Sequence, residues 1–335
     1  MKEKIKPILL IGGYGSVGSK AVDLLHQYYP DIPLVIAGRN PHKAKKLIDS
    51  ISNSSVISVD LKRKDLGIPD DMQFSAVAAY MNDTTLHAQK YAQAKGIPYV
   101  TVAGSVAELG MALAFYVNNG QDASVVLSSQ WMGGIPDALA MDYAKQFRQI
   151  DSIKITAIND PLDEFGEGSD EEEIKSIFII NPYSIAIEDG IYKWLKTDKE
   201  KKYRVRTIDG SEYDAYSFPI ADILSLENGV TADSIKFYTA EGKSYGTKQS
   251  KGVTHDIIIE MSGIAEDGKA KILHTEIIYP KGQAHMTALG SIIALEQVMG
   301  LMSAVKPNIY LGANLLDISL LKRRLEEQGA FYLSE

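Results

Sequence analysis

Residues 7–20 read PILLIGGYGSVGSK, an apolar run that ends in glycines and passes directly into a helix-forming segment. Its core is Gly13-Tyr14-Gly15-Ser16-Val17-Gly18, with Gly12 ahead of it. A lone G-x-G-x-x-G is weak, but behind a strand and at the start of a helix it fits a dinucleotide-binding turn. Gly13 permits a tight turn, Gly15 lets backbone approach a pyrophosphate, and Gly18 lets helix and sheet pack closely. The amides of the helix start supply the anion site, with Tyr14, Ser16 and Val17 beside it. The alternative is a glycine-rich turn that holds no ligand.

Outward from this turn the chain alternates strand and helix. Strands are expected at 7–11, 33–37, 55–59, 74–79, 98–102 and 123–127, with helices at 16–27, 41–51, 84–94 and 106–117. Near-continuous apolar strands alternating with helices indicate a mostly parallel sheet covered on both faces. A Rossmann-type doubly wound domain is therefore expected over residues 1–130.

An NAD site presents an acid to the ribose hydroxyls roughly 20 residues past the glycines. This chain presents Gly38-Arg39-Asn40 instead. Arg39 can fork onto a 2'-phosphate or stack on adenine, with Lys45 or Lys46 near it, so NADP is favoured over NAD. Asp60 closes the third strand and either accepts from adenine or caps a turn. Ala79, Tyr80 and Asn82 follow the fourth strand, at the carboxyl edge where doubly wound sheets place ligands. Tyr80 either borders the nicotinamide or fills the crevice.

Past Trp131 the rhythm changes. A helix over 138–147, a strand over 153–158 and the acidic run DEFGEGSDEEE at 163–173, expected as a solvated loop or helix start, come first. Strands then follow at 203–207, 213–218, 234–238, 254–261 and 272–278 without long crossovers between them. They imply an α+β domain with a largely antiparallel sheet over 131–286, serving substrate or dimerisation. Helices at 287–299 and 315–327 lie in a final segment, 287–335, that can pack back on the first domain.

The chain has 335 residues, which suits two domains. Apolar residues make up 45% and charged residues 23%, an ordinary globular balance. The net charge of -8 argues against a nucleic-acid partner, and the absence of cysteine removes disulfides, thiol nucleophiles and thiolate metal sites. No metal is expected, since H-E-x-x-H, calcium-loop and Walker patterns are all missing. The first apolar run is too short for a signal peptide or membrane span, so a cytoplasmic protein without a membrane partner is expected.

LLIGGYGSVG, VIAGRN, NDTTLHAQKYAQAKGIPYV, GGIPDALA and KGQAHMTALGSIIALEQ together resemble the saccharopine dehydrogenase-like family of NAD(P)-binding proteins. The likeness is best over residues 7–131 and returns near 280–299. It implies a nicotinamide domain joined to a second domain, with substrate in the cleft between them. It also implies chemistry at a carbon-nitrogen bond of an amino-acid-derived small molecule. Where such proteins often carry an aspartate, in the strand matching PYVTVAG, this chain has Thr101, and their usual Pro-Gly is Pro136-Asp137 here.

Hydride chemistry belongs to the cofactor, so the protein must orient the reacting carbon, bind charged groups and manage a proton. His285 is one candidate for acid-base work or carboxylate binding, because imidazole titrates near neutrality, and a plain hydrogen-bonding role is the alternative. Asp137 either binds a substrate amine or caps a helix, and Tyr143 can donate a proton. Arg148, Arg204 and Arg206 can take a carboxylate only if folding makes them converge. His87 is expected to be structural. Reduction of a carbonyl and non-catalytic dinucleotide binding stay open as functions, and the IIALEQVMGLM segment serves either a homodimer or the monomer core.

Overall fold

The computed structural model describes residues 5–102, 106–119, 122–163, 183–303 and 305–335. β1 (Ile8–Ile11) and β4 (Ala76–Ala79) are buried at every position. Ile8 and Leu10 face one core while Leu9 and Ile11 face another, as a strand covered on both sides requires. With β2 (Leu34–Gly38), β3 (Ser54–Ser58), β5 (Tyr99–Thr101), β6 (Val125–Leu127) and β15 (Ile309–Leu311) they form one sheet in the order β15-β6-β5-β4-β1-β2-β3. Every neighbouring pair in it is parallel. β1 has β2 on one side and β4 on the other, so the winding reverses there and a crevice opens at the carboxyl edge.

Helices α1 (Ser16–Tyr28), α2 (Lys45–Ser50), α3 (His87–Ala94) and α4 (Val106–Val117) are the crossovers of this sheet. α2 follows a single 3-10 turn at Pro41–Ala44, where proline suits the first helical positions. The doubly wound domain is thus present as expected.

The second sheet runs β10 (Lys202–Arg206), β11 (Glu212–Ser217), β12 (Ser234–Glu241), β7 (Phe147–Asn159), β13 (His255–Ala265), β14 (Ala270–Tyr279), β16 (Phe331–Ser334). β8 (Ser184–Glu188) joins β12, and β9 (Ile191–Leu195) joins β8. Only β12 and β7 pair in parallel, so the sheet is largely antiparallel as its alternation implied. Between the sheets lie α5 (Ile135–Ala144), α6 (Asp222–Gly229), α7 (Gly282–Val298) and α8 (Ile318–Glu327).

Several boundaries differ from the sequence-based expectation. The helix expected over 138–147 is α5, which starts earlier because a tight turn at Trp131–Gly134 feeds it directly. β7 then takes up the chain from Phe147, six residues before the expected strand. α6, β8, β9, β15 and β16 were not foreseen, each being short; β8 and β9 form a local hairpin, while β15 and β16 are completed by partners distant in sequence. The acidic stretch beyond Asp163 and the side chain of Lys46 lie outside the described residues.

α7 is apolar almost all round, and Leu289, Ile292, Ile293 and Leu295 are fully buried. A helix of that kind belongs in a core. It packs on α1 and lies in one apolar cluster with Leu10 and Val100 of the first sheet and Ile155 and Ile257 of the second. The IIALEQVMGLM segment therefore completes the monomer. Its one charge below, Glu296, is buried against Arg324 of α8 at 2.6 Å. Among the described residues no helix is long and apolar enough to cross a membrane.

Candidate active site

The glycine turn is shaped by contact. Gly12 has φ +77°, a left-handed conformation that suits glycine. A Cβ at Gly18 would collide with the Gly12 carbonyl oxygen, and one at Gly13 would stand 2.9 Å from that of Leu10. α1 is thereby pressed onto the end of β1. Gly15 is its N-cap residue and no side chain caps the helix. The first-turn amides of Ser16, Val17 and Gly18 have no acceptor within the helix, which suits a pyrophosphate. These residues fit the dinucleotide that the motif implies.

At the adenosine end the side chain of Tyr14 lies across the end of β2. A Cβ on Gly38 would meet the Tyr14 hydroxyl at 2.5 Å, and that hydroxyl accepts the Asn40 amide at 3.0 Å. Arg39 and Asn40 are exposed, and Arg39 has no hydrogen-bond or ionic partner among the described residues. Asp60 takes the capping alternative, with its carboxylate accepting the Lys62 amide at 2.9 Å.

At the nicotinamide end Ala79 is buried at the tip of β4. The Tyr80 ring is 9% exposed and packs in the core that α7 completes. Its hydroxyl receives the Ser291 hydroxyl at 3.3 Å, and burial pushes its pKa up. Tyr80 thus fills the crevice. Asn82 borders a cavity of about 30 Å³ together with Tyr99, Thr101 and Glu108.

Past β6, Met132, Gly133 and Gly134 have φ of +51°, +66° and +89°. Three consecutive left-handed residues turn the chain sharply into α5. A Cβ on Gly134 would stand 2.6 Å from the Ala313 amide nitrogen, and one on Gly133 would stand 3.1 Å from the Ser291 amide nitrogen, so both glycines are needed for this wedge. Ahead of it, the hydroxyls of Ser128 and Ser129 and both ends of the Gln130 amide are buried without hydrogen-bond partners among the described residues.

Asp137 is 0% exposed in the first turn of α5, whose N-cap position is Gly134, so it does not cap the helix. No N–H or alcohol hydroxyl reaches its oxygens among the described residues. Its partner is the buried carboxyl of Asp222, at the start of α6. Asp222 also accepts the Trp131 amide at 3.0 Å. Burial, with the Asp222 charge beside it, raises Asp137 well above the usual carboxylate range. Burial also raises Asp222 to about 7, against the lowering effect of the Trp131 amide, the Asp137 side chain and its own backbone amide.

The Trp131 indole donates to Nε2 of His255 at 3.0 Å, leaving Nδ1 facing Asp163 at 3.5 Å. Asp163 accepts the Gln283 amide at 3.0 Å, at the start of α7. Trp131, His255, Asp163 and Asp222 were not singled out from the sequence. An aspartate opening a helix was the available signal for Asp222, but its partner stands 85 positions away in the chain, 222 against 137.

His285 is partly buried, with Nδ1 2.8 Å from the Tyr279 hydroxyl, and burial plus Lys281 and Lys20 lowers its pKa to about 4. Tyr143 lies beneath the Lys322 ammonium, 5.7 Å from its ring centre. No hydrogen bond or ion pair joins any two of Asp137, Tyr143 and His285 among the described residues. Arg204, paired with Glu212 and Asp214, shares the exposed face of β10 with Arg206, while Arg148 is exposed on β7. Nδ1 of His87 lies 2.7 Å from the Leu61 carbonyl, a structural contact. Among the described residues no three His, Asp or Glu side chains cluster to hold a metal ion.

No family model matches the sequence. No curated protein is detectably similar to it in sequence. Solved structures are similar in fold. Saccharopine dehydrogenase (L-Glu forming) from Saccharomyces cerevisiae superposes with a TM-score of 0.69 at 12% identity, over 98% of this chain and 100% of that one. The fold is saccharopine dehydrogenase-like. Amine dehydrogenase from Mycobacterium smegmatis superposes with a TM-score of 0.51 at 12% identity, over 94% of this chain and 97% of that one.

Proposed function

We propose that the chain is a cytoplasmic NADP-dependent oxidoreductase that transfers hydride at a carbon-nitrogen bond, imine or secondary amine, of an amino-acid-derived small molecule. The observation that carries the reading is the glycine cradle at the switch point of the parallel sheet, with Arg39, which has no partner among the described residues, at its adenosine end. In this reading residues 1–130 bind the dinucleotide, 131–286 form the substrate wall or a dimer contact, and 287–335 pack back across both. Gly13, Gly15 and the amides of Ser16 to Gly18 hold the pyrophosphate, and Arg39 with Asn40 holds the 2'-phosphate. The cofactor supplies the hydride. The choice of a carbon-nitrogen bond follows the named activities of the two neighbours, a saccharopine dehydrogenase and an amine dehydrogenase.

Among the described residues no hydrogen bond or ion pair joins Asp137, Tyr143 and His285, which favours a second reading, a dinucleotide-binding regulatory protein without turnover. One assay distinguishes the readings. NADPH is mixed with pairs of 2-oxo acids and amines or amino acids, its absorbance is followed, and products are identified by mass spectrometry. Oxidation that requires both partners and yields a secondary amine is expected. Oxidation with the oxo acid alone, yielding a hydroxy acid, would move the reaction to carbonyl reduction, and tight NADPH binding without oxidation would favour the regulatory protein.

A further inference from the structure

In a dinucleotide site of this kind the residue that reads the ribose 2'-oxygen projects from the end of the second strand, and in NAD sites it is a carboxylate. Here that strand ends at Gly38, and the space a side chain would enter at 38 is taken by another residue. The Tyr14 hydroxyl stands 2.5 Å from the position of a Gly38 Cβ, with ring carbons at 2.6 and 2.7 Å. The two positions are coupled, since any side chain at 38 requires the Tyr14 ring to leave.

The hydroxyl is oriented by the Asn40 amide, which donates to it at 3.0 Å. Its own proton has no acceptor among the described residues. A neutral donor therefore sits where an anion stands in an NAD site, next to the exposed guanidinium of Arg39. A carboxylate there accepts from a ribose hydroxyl and repels a 2'-phosphate, whereas a hydroxyl donates to the phosphate without repulsion.

We propose that Tyr14, acting through its contact with Gly38 and Asn40, is a specificity-determining residue that selects the 2'-phosphorylated dinucleotide. The inference rests on the dinucleotide reading above and adds the residue that decides between its two forms.

Dissociation constants for NADPH and NADH, measured by calorimetry on the full chain, test it with three variants. Tyr14→Phe keeps the ring against Gly38 and removes only the hydroxyl. It is expected to weaken NADPH about ten-fold while NADH changes by less than about two-fold. Gly38→Asp alone weakens both dinucleotides, because the new side chain meets the Tyr14 ring. Tyr14→Ser with Gly38→Asp restores binding with NADH now the tighter ligand. A Tyr14→Phe variant with an unchanged NADPH-to-NADH ratio, or a Gly38→Asp variant that binds NADH well without a change at Tyr14, would overturn the assignment while leaving the dinucleotide site standing. Failure of the unaltered protein to bind either dinucleotide would overturn both.

Discussion

The carboxyls of Asp137 and Asp222 are both fully buried, each shifts the titration of the other, and Asp222 accepts the Trp131 amide. This contact ties the starts of α5 and α6 to the turn that leaves the parallel sheet. Its consequence is a stability that depends on pH.

Both carboxyls hold protons more tightly folded than unfolded. Between the unfolded value near 4 and the Asp222 value of about 7 the folded state is the more protonated one, so stability falls as pH rises through that window. Asp137→Asn keeps a donor toward Asp222 and removes one of the two titrations. Urea unfolding at intervals from pH 4.5 to 8 is expected to show a flatter decline in this variant than in the parent. Equal slopes would show that Asp137 carries none of the pH dependence.

Gly18→Ala places a methyl group against the Gly12 carbonyl oxygen, and the first turn of α1 must lift from β1 to admit it. Overpacking of this kind costs about 1–3 kcal/mol. NADPH binding is expected to weaken by at least about a hundred-fold as the amides lose their alignment, since about 2.7 kcal/mol suffices for that change. Calorimetric titration of the folded variant checks this, and near-parental affinity would remove the cradle from the account.

His285 has the opposite sign from the aspartates. Its folded value of about 4 lies below the unfolded value near 6.5, so the unfolded imidazole gains a proton that the folded one refuses as pH falls between them. Stability is lost over that descent. His285→Gln is expected to reduce the loss between pH 6.5 and 4, read as a smaller drop in thermal midpoint, and an unchanged drop would place the acid sensitivity elsewhere.

Glu296 and Arg324 join α7 to α8 at a site almost without solvent. Arg324→Ala leaves the carboxylate buried and unpaired, with an expected cost of about 3–5 kcal/mol in denaturant unfolding. Replacing both residues, Glu296→Leu with Arg324→Met, is expected to recover most of that loss. A double variant as unstable as the single one would contradict the pairing.

What the sequence disclosed depended on the range of the interactions. The glycine turn was readable because Gly13, Gly15 and Gly18 act on backbone within a few residues, as the Leu10 and Gly12 carbonyl contacts show. The parallel sheet was readable because Ile8–Ile11 and Ala76–Ala79 are apolar throughout. β15 has three residues and exists because β6 lies beside it, so no local pattern announces it. Gly38 looked like a missing acid, and its use as the floor for Tyr14 is a tertiary contact. Asp137 was picked out by position, but its neighbour Asp222 was not, because it opens a helix that was itself not foreseen.

In the function proposed above, the cradle between Gly12 and Gly18 binds a 2'-phosphorylated nicotinamide dinucleotide. Calorimetric titration of the full chain with NADPH and, separately, NADH at one fixed ionic strength tests it most directly. Saturable one-to-one binding is expected, with NADPH at least about ten-fold tighter, a margin of about 1.4 kcal/mol. No saturable binding of either dinucleotide, or tighter binding of NADH, would contradict it.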